Sequence, residues 1–404
     1  MAKRTRAIIQ TAIFLISLSV EVEAKAIHPI IDSKLKLLNK PAVKSIKSED
    51  GDIIDCVDTL KQPAFDHPAL RNHTIQRVPS FLFEETKKPI SKKNESIRFG
   101  GTLYQTWHKS GSCPKGTIPI RRIRKQDLLR ATSLQRFGRK NAQALYARNV
   151  TGYQINGGQL GGVLVTVGFN YVGAQGDINL WNPYVAPDDY TTAQIWLKNG
   201  PGDAFESVEA GWAVHPKLYG DTQTRLFISW TKDAYNSTGC FDLTCQGFIQ
   251  TNQHIAIGAA LGPISVESGP QYQVTFAINM DTSSNWWLKA GDVVLGYWPG
   301  NLFGYLQHSS ILVQWGGDVF SPHLTAPHTE TDMGSGAYPD TLHGSACYVE
   351  GVRIRDYSLA LKYPQRVGTL ADEPYCYSAY NYIAGYGVEP VFYFGGPGRT
   401  TLCP

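Results

Sequence analysis

The chain has 404 residues, of which 42% are hydrophobic and 18% are charged, and its formal net charge is +4 at pH 7. This length exceeds one typical compact domain, so two or three folded units are expected. The charge is unevenly divided, because residues 1–149 hold 28 basic and 13 acidic side chains and residues 150–404 hold 10 and 21. A basic prosegment that covers an acidic mature domain explains this asymmetry better than binding to nucleic acid or to a membrane does. Acid would weaken such a contact by protonating carboxylates.

The first 24 residues are predicted to be a secretory signal peptide. A basic head, MAKRTR, precedes an apolar run at residues 8–20 that is too short to span a bilayer, and small residues suit cleavage after Ala24. We therefore expect a secreted, extracellular protein without a membrane anchor. Sequons for N-glycosylation agree with this route, and they lie at Asn72, Asn94, Asn149 and Asn236.

Seven cysteines are expected to serve mainly as disulfide partners in an oxidising compartment. The expected pairs are Cys240–Cys245 around a short loop, Cys376–Cys403 at the C-terminus and, as one option among several, Cys56–Cys113. That option would leave Cys347 as a free thiol.

Residues 25–148 are predicted to form a smaller prodomain of mixed α/β structure. Short strands and turns are expected in GTLYQTWHKSGSCPKGTIPIRRI, and a helix is expected in KQDLLRATSLQRFGRKNAQALYARN. The apolar stripe of this helix would consist of Leu128, Leu129, Leu134 and Phe137. Its basic residues could bind polyanions, but a solvated helix or one that faces the acidic half is the better interpretation.

Residues 149–404 are predicted to be an antiparallel β-sandwich. Ten short runs rich in Val, Ile, Tyr, Phe and Trp are separated by turn residues, and no convincing helical pattern of 12 residues interrupts them. The runs are GGVLVTVGFNYVGA, AQIWLKN, SVEAGWAVHP, TRLFISWTKD, QHIAIGAALG, QYQVTFAINM, WWLKAGDVVLGYWP, SILVQWGGDVF, ACYVEGVRIRD and VEPVFYFGG.

The motif content of this half leaves carboxylates as the most plausible source of chemistry. Its histidines are scattered, without HExxH or CxxC spacing, so we expect no metal. It also lacks GxSxG at a strand–helix turn and a phosphate-binding GxxxxGK[ST] loop, so we expect neither a serine nucleophile nor a cofactor.

One strand carries an acid within an apolar pattern. In SVEAGWAV, the period-2 alternation puts the bulky apolar side chains on one face and Glu209, Gly211 and Ala213 on the other. An acid between small residues suits the floor of a groove that a substrate backbone approaches closely. A rim glutamate or a hydrogen-bonded structural glutamate is the alternative.

A second predicted strand also carries an acid beside glycine on one face. In SILVQWGGDVF, Gln314, Gly316 and Asp318 alternate on one face, opposite Val313 and Trp315, although a bulge at the glycine pair could reset the alternation. Two facing carboxylates can divide acid–base work and favour acidic pH. The amide of Gln314 is a candidate donor to an oxyanion hole.

These blocks, together with GCFDLTCQGFIQ and NWWLKAGDVVLGYWP, resemble the neprosin family, which comprises secreted plant peptidases of the glutamic catalytic type. DCVDTLKQPAFDHPAL and CPKGTIPIRR resemble the activation peptide of that family. The resemblance implies a zymogen inhibited by its own prodomain, a polypeptide substrate, prolyl endopeptidase activity at acidic pH and a place in the cell wall or apoplast. By motif, the two catalytic acids fall on Glu209 and Asp318, and the second is Glu in the active pattern of the family.

That departure leaves two functions open. Asp318 is one methylene shorter than Glu, which withdraws its carboxylate by about 1 Å, and misplacements of this size can cost about a hundredfold in rate. The chain is thus either an active, monomeric endopeptidase or an inactive relative that binds peptide or cell-wall polymer in the same groove; glycosidases also use paired carboxylates. Candidates for an aromatic wall that packs on a proline ring are Trp181, Tyr219, Trp298 and Trp315.

Overall fold

The structure is a computed structural model. It describes residues 29–81, 97–98, 103–140, 158–324 and 326–404. The predicted signal peptide, the sequons at Asn94 and Asn149 and the predicted domain boundary at residue 148 lie outside the described residues. Within the described residues, no helix is both long and apolar enough to span a membrane.

The N-terminal part, described residues 29–140, contains short helices and a small sheet. Its helices are α1 (residues 29–38) and α2 (Lys125–Arg130), and its strands are β1 (Ala42–Lys47), β2 (Ile53–Asp58), β3 (Ile97–Arg98) and β4 (Thr117–Arg121). Short 3₁₀ helices lie at Thr59–Lys61, Pro63–Asp66, Pro68–Leu70 and Thr106–Ser110. The sheet has the antiparallel order β1-β2-β4.

The C-terminal part, described residues 158–404, is built almost entirely of strands. They are β5 (Gly158–Tyr171), β6 (Gly173–Asn179), β7 (Tyr190–Asn199), β8 (Glu206–Val214), β9 (Arg225–Thr231), β10 (Ile249–Gln250), β11 (Tyr272–Met280), β12 (Trp286–Ala290), β13 (Val293–Trp298), β14 (Ser310–Ser321), β15 (Cys347–Arg355), β16 (Leu361–Lys362), β17 (Gly368–Ala371), β18 (Ser378–Tyr382) and β19 (Val391–Gly395). The one-turn helix α3 (Pro216–Tyr219) follows β8, and 3₁₀ turns lie at Gly300–Leu302 and Pro339–Thr341.

Two sheets face each other, which confirms the predicted β-sandwich. The smaller sheet has the order β17-β5-β14-β7-β8-β9, and the larger follows the path β10-β13-β12-β11-β6-β15-β19-β18. Strand β16 pairs with β15, and β3 of the N-terminal part adds a short parallel pairing to β11. The remaining pairings within the two sheets are antiparallel, as the alternating, turn-separated runs predicted.

Buried tryptophans join the two sheets. The indole of Trp315 on β14 donates to the carbonyl of Gln175 on β6 at 3.0 Å, and the indole of Trp212 on β8 donates to the carbonyl of Asn179 at 2.8 Å. Both indole rings are fully buried, so their hydrogen bonds compensate for the loss of water at a polar atom. This face of β8 and β14 is therefore core, and the opposite face is free to carry polar side chains.

The cysteines form the expected disulfides. Bonds join Cys240 to Cys245, Cys376 to Cys403 and Cys56 to Cys113, and Cys347 is a buried free thiol whose pKa is raised by burial. The described sequons Asn72 and Asn236 are both exposed.

Two predicted elements differ from the structure. The predicted long helix ends at Arg130, because Ala131 turns the backbone to an extended conformation, and Leu129 is 58% exposed. Leu128 and Phe137 still belong to one apolar cluster, but an irregular segment brings them together rather than a helical stripe. Packing of this segment on the C-terminal part compensates for the helical hydrogen bonds that it lacks.

The run QHIAIGAALG forms a loop rather than a strand. Its backbone bonds to the edge strand β9 through Leu226, which donates to Ala259 and accepts from Gly258. Gly258 has a φ of +85°, a conformation that interrupts a regular ladder. The loop thus covers the edge of the smaller sheet without extending it.

Docking of the N-terminal part buries an ionic network. Asp52 accepts from Arg121 of β4 at 2.9 Å and from Arg225 of β9 at 2.6 Å, and all three side chains are less than 10% exposed. Arg121 also donates to the carbonyl of Tyr219 at 2.9 Å. A network of this kind fixes the register of docking, because each charge needs its partner once water is removed.

Candidate active site

The two predicted acids lie on the same face of the smaller sheet, on strands that flank β7. Glu209 pairs in register with Trp196 of β7, and Asp318 pairs with Thr192, four residues away on the same strand. Both carboxylates are buried, with residue exposures of 0% and 3%. The register of β14 is continuous from residue 312 to 320, so the glycine pair causes no bulge and the predicted alternation holds.

The glycines of these strands serve strand pairing more directly than they clear the groove. A Cβ at Gly211 would lie 2.0 Å from the carbonyl oxygen of Ala193, and one at Gly316 would lie 2.2 Å from that of Gly162. Only glycine therefore allows the neighbouring backbones to approach this closely at these two positions.

One ammonium group bridges the two carboxylates. Lys140 Nζ donates to Glu209 Oε2 at 2.8 Å and lies 3.4 Å from Asp318 Oδ2. With its amide oxygen turned toward the ammonium, Gln194 accepts from the same Nζ at 3.3 Å. The Lys140 side chain is completely buried, and the nearby carboxylates raise its pKa in spite of its burial. Lys140 thus occupies the space between the two acids in its charged form.

Hydroxyl groups hold the other carboxylate oxygen of Glu209. Ser207, two residues earlier on β8, donates to Glu209 Oε1 at 2.7 Å, and the buried hydroxyl of Tyr235 donates to the same oxygen. Oε2 is left for Lys140. Two fixed donors on one oxygen leave the other oxygen for Lys140 and hold the carboxylate in one orientation.

A glutamine orients Asp318. Gln159 of β5 donates to Asp318 Oδ2 at 3.0 Å and also to the hydroxyl of Tyr190. Burial raises the pKa of Asp318 to about 6, the Glu209 charge adds to the rise, and Lys140 opposes it. An acid with this pKa carries a proton in moderately acidic solution and loses it near neutrality.

A second lysine lies in the open part of the groove. The open cleft, as we call it, is bordered by Asp318, Gln314, Trp196, Lys198, Phe205 and Asp372. The Lys198 ammonium lies 5.1 Å from the ring centre of Phe205 and 5.7 Å from that of Trp196. Burial lowers the pKa of Lys198 to about 8, so this group remains positive in acid.

The other predicted binding residues are divided between the groove and the core. Gln314 lines the open cleft, as the alternation placed it. Trp181, Trp298 and Trp315 belong to the main hydrophobic core and do not form an aromatic wall in the groove. Tyr219 is buried in the cluster that the N-terminal part covers, where its hydroxyl donates to Asp242. The aromatic rings that border the open cleft are instead those of Trp196 and Phe205.

Several functional side chains were missed by reasoning from the sequence. Lys140 is one cation in a long basic run, and nothing in the local pattern separates it from its neighbours. Gln159 and Tyr235 contact the acids, and Tyr190 contacts Gln159, only through the tertiary structure. Lys198 could have been found, because it is a cation at the end of the apolar run AQIWLKN.

One cluster has ligand-like chemistry away from these acids. His328, Glu373, Cys376 and Cys403 lie together within the described part of the chain. The two cysteines are joined in a disulfide, so their sulfurs are not thiolates and the donor set does not fit a metal site.

Comparison with known proteins places both parts of the chain. The family described as Neprosin matches residues 187–397, and the family described as Neprosin activation peptide matches residues 45–159. The second match extends past the predicted boundary at residue 148, and the boundary stays a prediction.

Solved structures show weaker likenesses. A scytalido-glutamic peptidase with a peptide-based transition state analogue has 9% identity and a TM-score of 0.31, covering 60% of this chain and 99% of its own. SCP-B, an eqolisin-family peptidase in complex with the tripeptide Ala-Ile-His, has 7% identity and a TM-score of 0.30 at the same coverage. CG-16, a homodimeric agglutinin from chicken liver, has 8% identity and a TM-score of 0.22, covering 40% of this chain and 92% of its own.

Proposed function

The chain belongs to the neprosin family, and from this membership we propose that it is a secreted, acid-activated endopeptidase. In this proposal Glu209 and Asp318 activate a water molecule that cleaves a peptide bond. The N-terminal part is the inhibitory prodomain of the same chain. The natural place of action would be outside the cell, in the cell wall or apoplast, and the enzyme would work as a monomer.

The observation that carries the proposal is the single ammonium shared by the two acids. A structural glutamate needs one set of partners, whereas Glu209 and Asp318 come from non-adjacent strands and converge on the same Nζ. The cation belongs to the segment that the family comparison assigns to the activation peptide. A removable cation between paired carboxylates supports a blocked catalytic site, because the pair would be left facing the groove once the segment departs.

The proposed reaction follows from the two environments. Glu209, held by two hydroxyl donors, takes a proton from water as the water oxygen attacks the scissile carbonyl carbon. Protonated Asp318 donates a hydrogen bond and then its proton to the carbonyl oxygen, and Gln314 is a candidate further donor. On collapse of the tetrahedral intermediate the carbon–nitrogen bond breaks, Glu209 passes its proton to the leaving amine, and Asp318 regains a proton from the collapsing hydroxyl.

Acid would activate the zymogen through the same pair. In the docked state the pKa of Asp318 is about 6, and Lys140 is one of the groups that keep it from rising further. Loss of the Lys140 charge acts to raise this pKa, and water that enters in place of the segment acts to lower it. In this proposal the charge effect is the larger one, so that Asp318 binds a proton more tightly in the released state than in the docked state. By linkage, docking is favoured at neutral pH and weakens as the pH falls through the docked value of about 6.

The proline preference of the family is part of the proposal. A proline ring is compact and apolar and packs well on an aromatic side chain. Trp196 and Phe205 offer such surfaces in the open cleft, beside Asp318. We therefore expect cleavage after proline, with the ring on one of these two side chains.

A second function is favoured by one measured asymmetry. Lys140 Nζ lies 2.8 Å from Glu209 and 3.4 Å from Asp318, as expected if the shorter acid does not reach the centre of the site. In that case the groove binds peptide or cell-wall polymer without cleaving it. The experiment below separates the two functions.

The test uses the full-length precursor at pH 4 and pH 7. The proposed function predicts cleavage near residue 148 and turnover of a proline-containing peptide at pH 4 only. Glu209→Gln should abolish both, because an amide cannot accept the proton of water. Asp318→Asn should also be inactive, whereas Asp318→Glu should be at least as active as the wild type.

A matched control is Glu389→Gln, which makes the same chemical change at an exposed glutamate paired with Arg353. It should process and cleave normally. Full activity of Glu209→Gln would contradict the assignment of the site. A wild-type precursor that is inactive and becomes active only as Asp318→Glu would instead favour the binding function.

A further inference from the structure

The prodomain segment that carries Lys140 also fills a pocket nearby. Phe137 lies three residues before Lys140 and is 7% exposed. Three residues span at most about 10 Å, so a side chain in this pocket and a residue at the carboxylates are separated by a short stretch of backbone. The segment thus connects the acids to a second, apolar position on the same groove.

The pocket, which we call the covered pocket, is aromatic. Phe137 clusters there with side chains of the C-terminal part, namely Tyr190, Ala213, Leu218, Tyr219, Phe227 and Phe241. The rings of Tyr190 and Phe241 meet edge to face at 5.2 Å, and His215 lies 5.3 Å from Phe241. These residues come from β7, the stretch from β8 to α3, β9 and the loop after β9, and Ile31, Ile123 and Leu128 of the prodomain complete the same cluster.

The covered pocket is connected to the catalytic acids. The hydroxyl of Tyr190 accepts from Gln159, and Gln159 also donates to Asp318. The ring of Tyr190 therefore forms a wall of the covered pocket while its hydroxyl belongs to the hydrogen-bond network of the site. A side chain bound in the covered pocket is therefore linked to Asp318 through Tyr190 and Gln159.

The backbone of the segment is also bound. The amide of Phe241 donates to the carbonyl of Gly138 at 2.6 Å, which is the type of main-chain contact that holds an extended substrate. Gly138 has a φ of +73°, and a Cβ there would lie 2.1 Å from Thr244 Oγ1. Thr244 thus leaves room only for a very small residue beside the aromatic side chain.

We infer that the covered pocket is a substrate subsite that accepts a large apolar side chain three residues from the residue at Glu209 and Asp318, with a glycine beside it. The prodomain occupies this subsite with Phe137 and Gly138 before activation. The inference rests on the proposed function, because it takes the groove to be a peptide-binding groove. After activation the aromatic wall would be open to solvent unless peptide covers it.

The first test measures the specificity of the acid-activated full-length protein with a peptide library. Each peptide has a single cleavable bond. Counted from the residue that lies at the acids, the residues three positions before it and three positions after it, the two third positions, are varied. Phe or Leu at one of the two third positions, with Gly next to it, should raise kcat/KM by about tenfold or more over Ala. If Phe, Leu and Ala gave the same kcat/KM at each of the two third positions, the inference would be overturned and the proposed peptidase function would stay intact.

A pocket variant gives the matched control. Ala213→Val adds methyl groups within the cluster that forms the covered pocket and should lower the ratio of kcat/KM for the Phe-containing peptide to kcat/KM for the Ala-containing peptide. Phe241→Leu is the second variant in case the first does not fold, and it keeps the backbone amide that contacts Gly138. An unchanged preference in a folded variant contradicts the assignment.

A binding measurement keeps the inference testable if no peptide is cleaved. A labelled heptapeptide, LQRFGRK, is added at pH 5 to full-length protein that carries Glu209→Gln and has been cut in the segment 141–157. Its affinity should exceed that of the version with Phe137→Ala by about tenfold or more. Equal affinities would overturn the subsite, whereas the expected difference would support it; the peptidase function is judged separately, from turnover by the protein that keeps Glu209.

Discussion

Replacement of Lys140 by methionine should separate inhibition from folding. The change keeps an unbranched apolar side chain, one atom shorter than lysine, but removes the ammonium that Glu209 and Asp318 share. Removing one partner of a buried ion pair costs about 3–5 kcal/mol. The two acids can relieve part of this cost by sharing a proton, so the lower value, about 3 kcal/mol, is the better expectation.

The loss should depend on pH in a defined direction. A cost of about 3 kcal/mol corresponds to roughly a hundredfold weaker docking of the prodomain near pH 7.5. As the pH falls through about 6, Asp318 becomes protonated in the docked wild type and its attraction for Lys140 is lost. The difference between wild type and Lys140→Met should therefore become smaller in acid, where only the contact of Lys140 with Glu209 remains, and the variant should show a flatter pH dependence of docking.

The assay is prodomain release from the nicked precursor. A specific protease site inserted within residues 141–157 is cut, and the dissociation constant of the two fragments is measured between pH 4.5 and pH 8. Arg139→Met is the matched control, because it removes a neighbouring cation whose side chain is exposed. The control should dock within about twofold of the wild type at each pH, since exposed charges contribute little.

The reasoning would be refuted by a Lys140→Met variant whose docking equals that of the wild type at pH 7.5. It would also be refuted if the pH dependence of release were the same in both proteins. In the first case the apolar and ionic contacts elsewhere in the prodomain would hold it without help from the acids. In the second, another group would be the acid sensor.

Three further predictions concern separate features. Lys198→Met should extend peptidase activity to higher pH, because the Lys198 charge lowers the pKa of Asp318 and the alkaline limb of the rate profile follows loss of that proton; an alkaline limb that does not move would contradict this role. Asp52→Asn should weaken docking of the nicked prodomain by about 3 kcal/mol at pH 7.5, because it removes the carboxylate that holds buried Arg225; docking equal to wild type would count against it. Trp315→Ala should lower the free energy of unfolding by about 3–5 kcal/mol in urea titrations, and a much smaller loss would show that the core position is wrongly interpreted.

The strands and both acids were predictable because alternation is local. A period of two residues sorts side chains onto two faces whatever the partner strand is, so Glu209, Asp318 and Gln314 could be placed on one type of face from the sequence. The identity of the neighbouring strand is not local. That β7 lies between β8 and β14, and brings the acids together, required the structure.

The aromatic residues show the limit of the same reasoning. Trp315 alternates with Asp318, which puts it on the opposite face, and the structure buries it in the core. Both faces of these strands are buried, so the sequence alone does not say which aromatic ring meets solvent or substrate. Trp196, on the intervening strand, borders the groove because its register matches Glu209 and Gln314.

The charge asymmetry and the specific ion pairs act at different ranges. The basic prodomain and the acidic C-terminal part attract each other over a distance set by salt screening, and this favours docking without fixing its geometry. In the buried network the signs of charge are reversed at one contact, because the acid, Asp52, belongs to the prodomain and the base, Arg225, belongs to the C-terminal part. Net charge therefore favours association of the two parts. The response to acid rests on the few buried carboxylates whose pKa differs between the docked and released states, and Asp318 beside Lys140 is the one at the proposed catalytic centre.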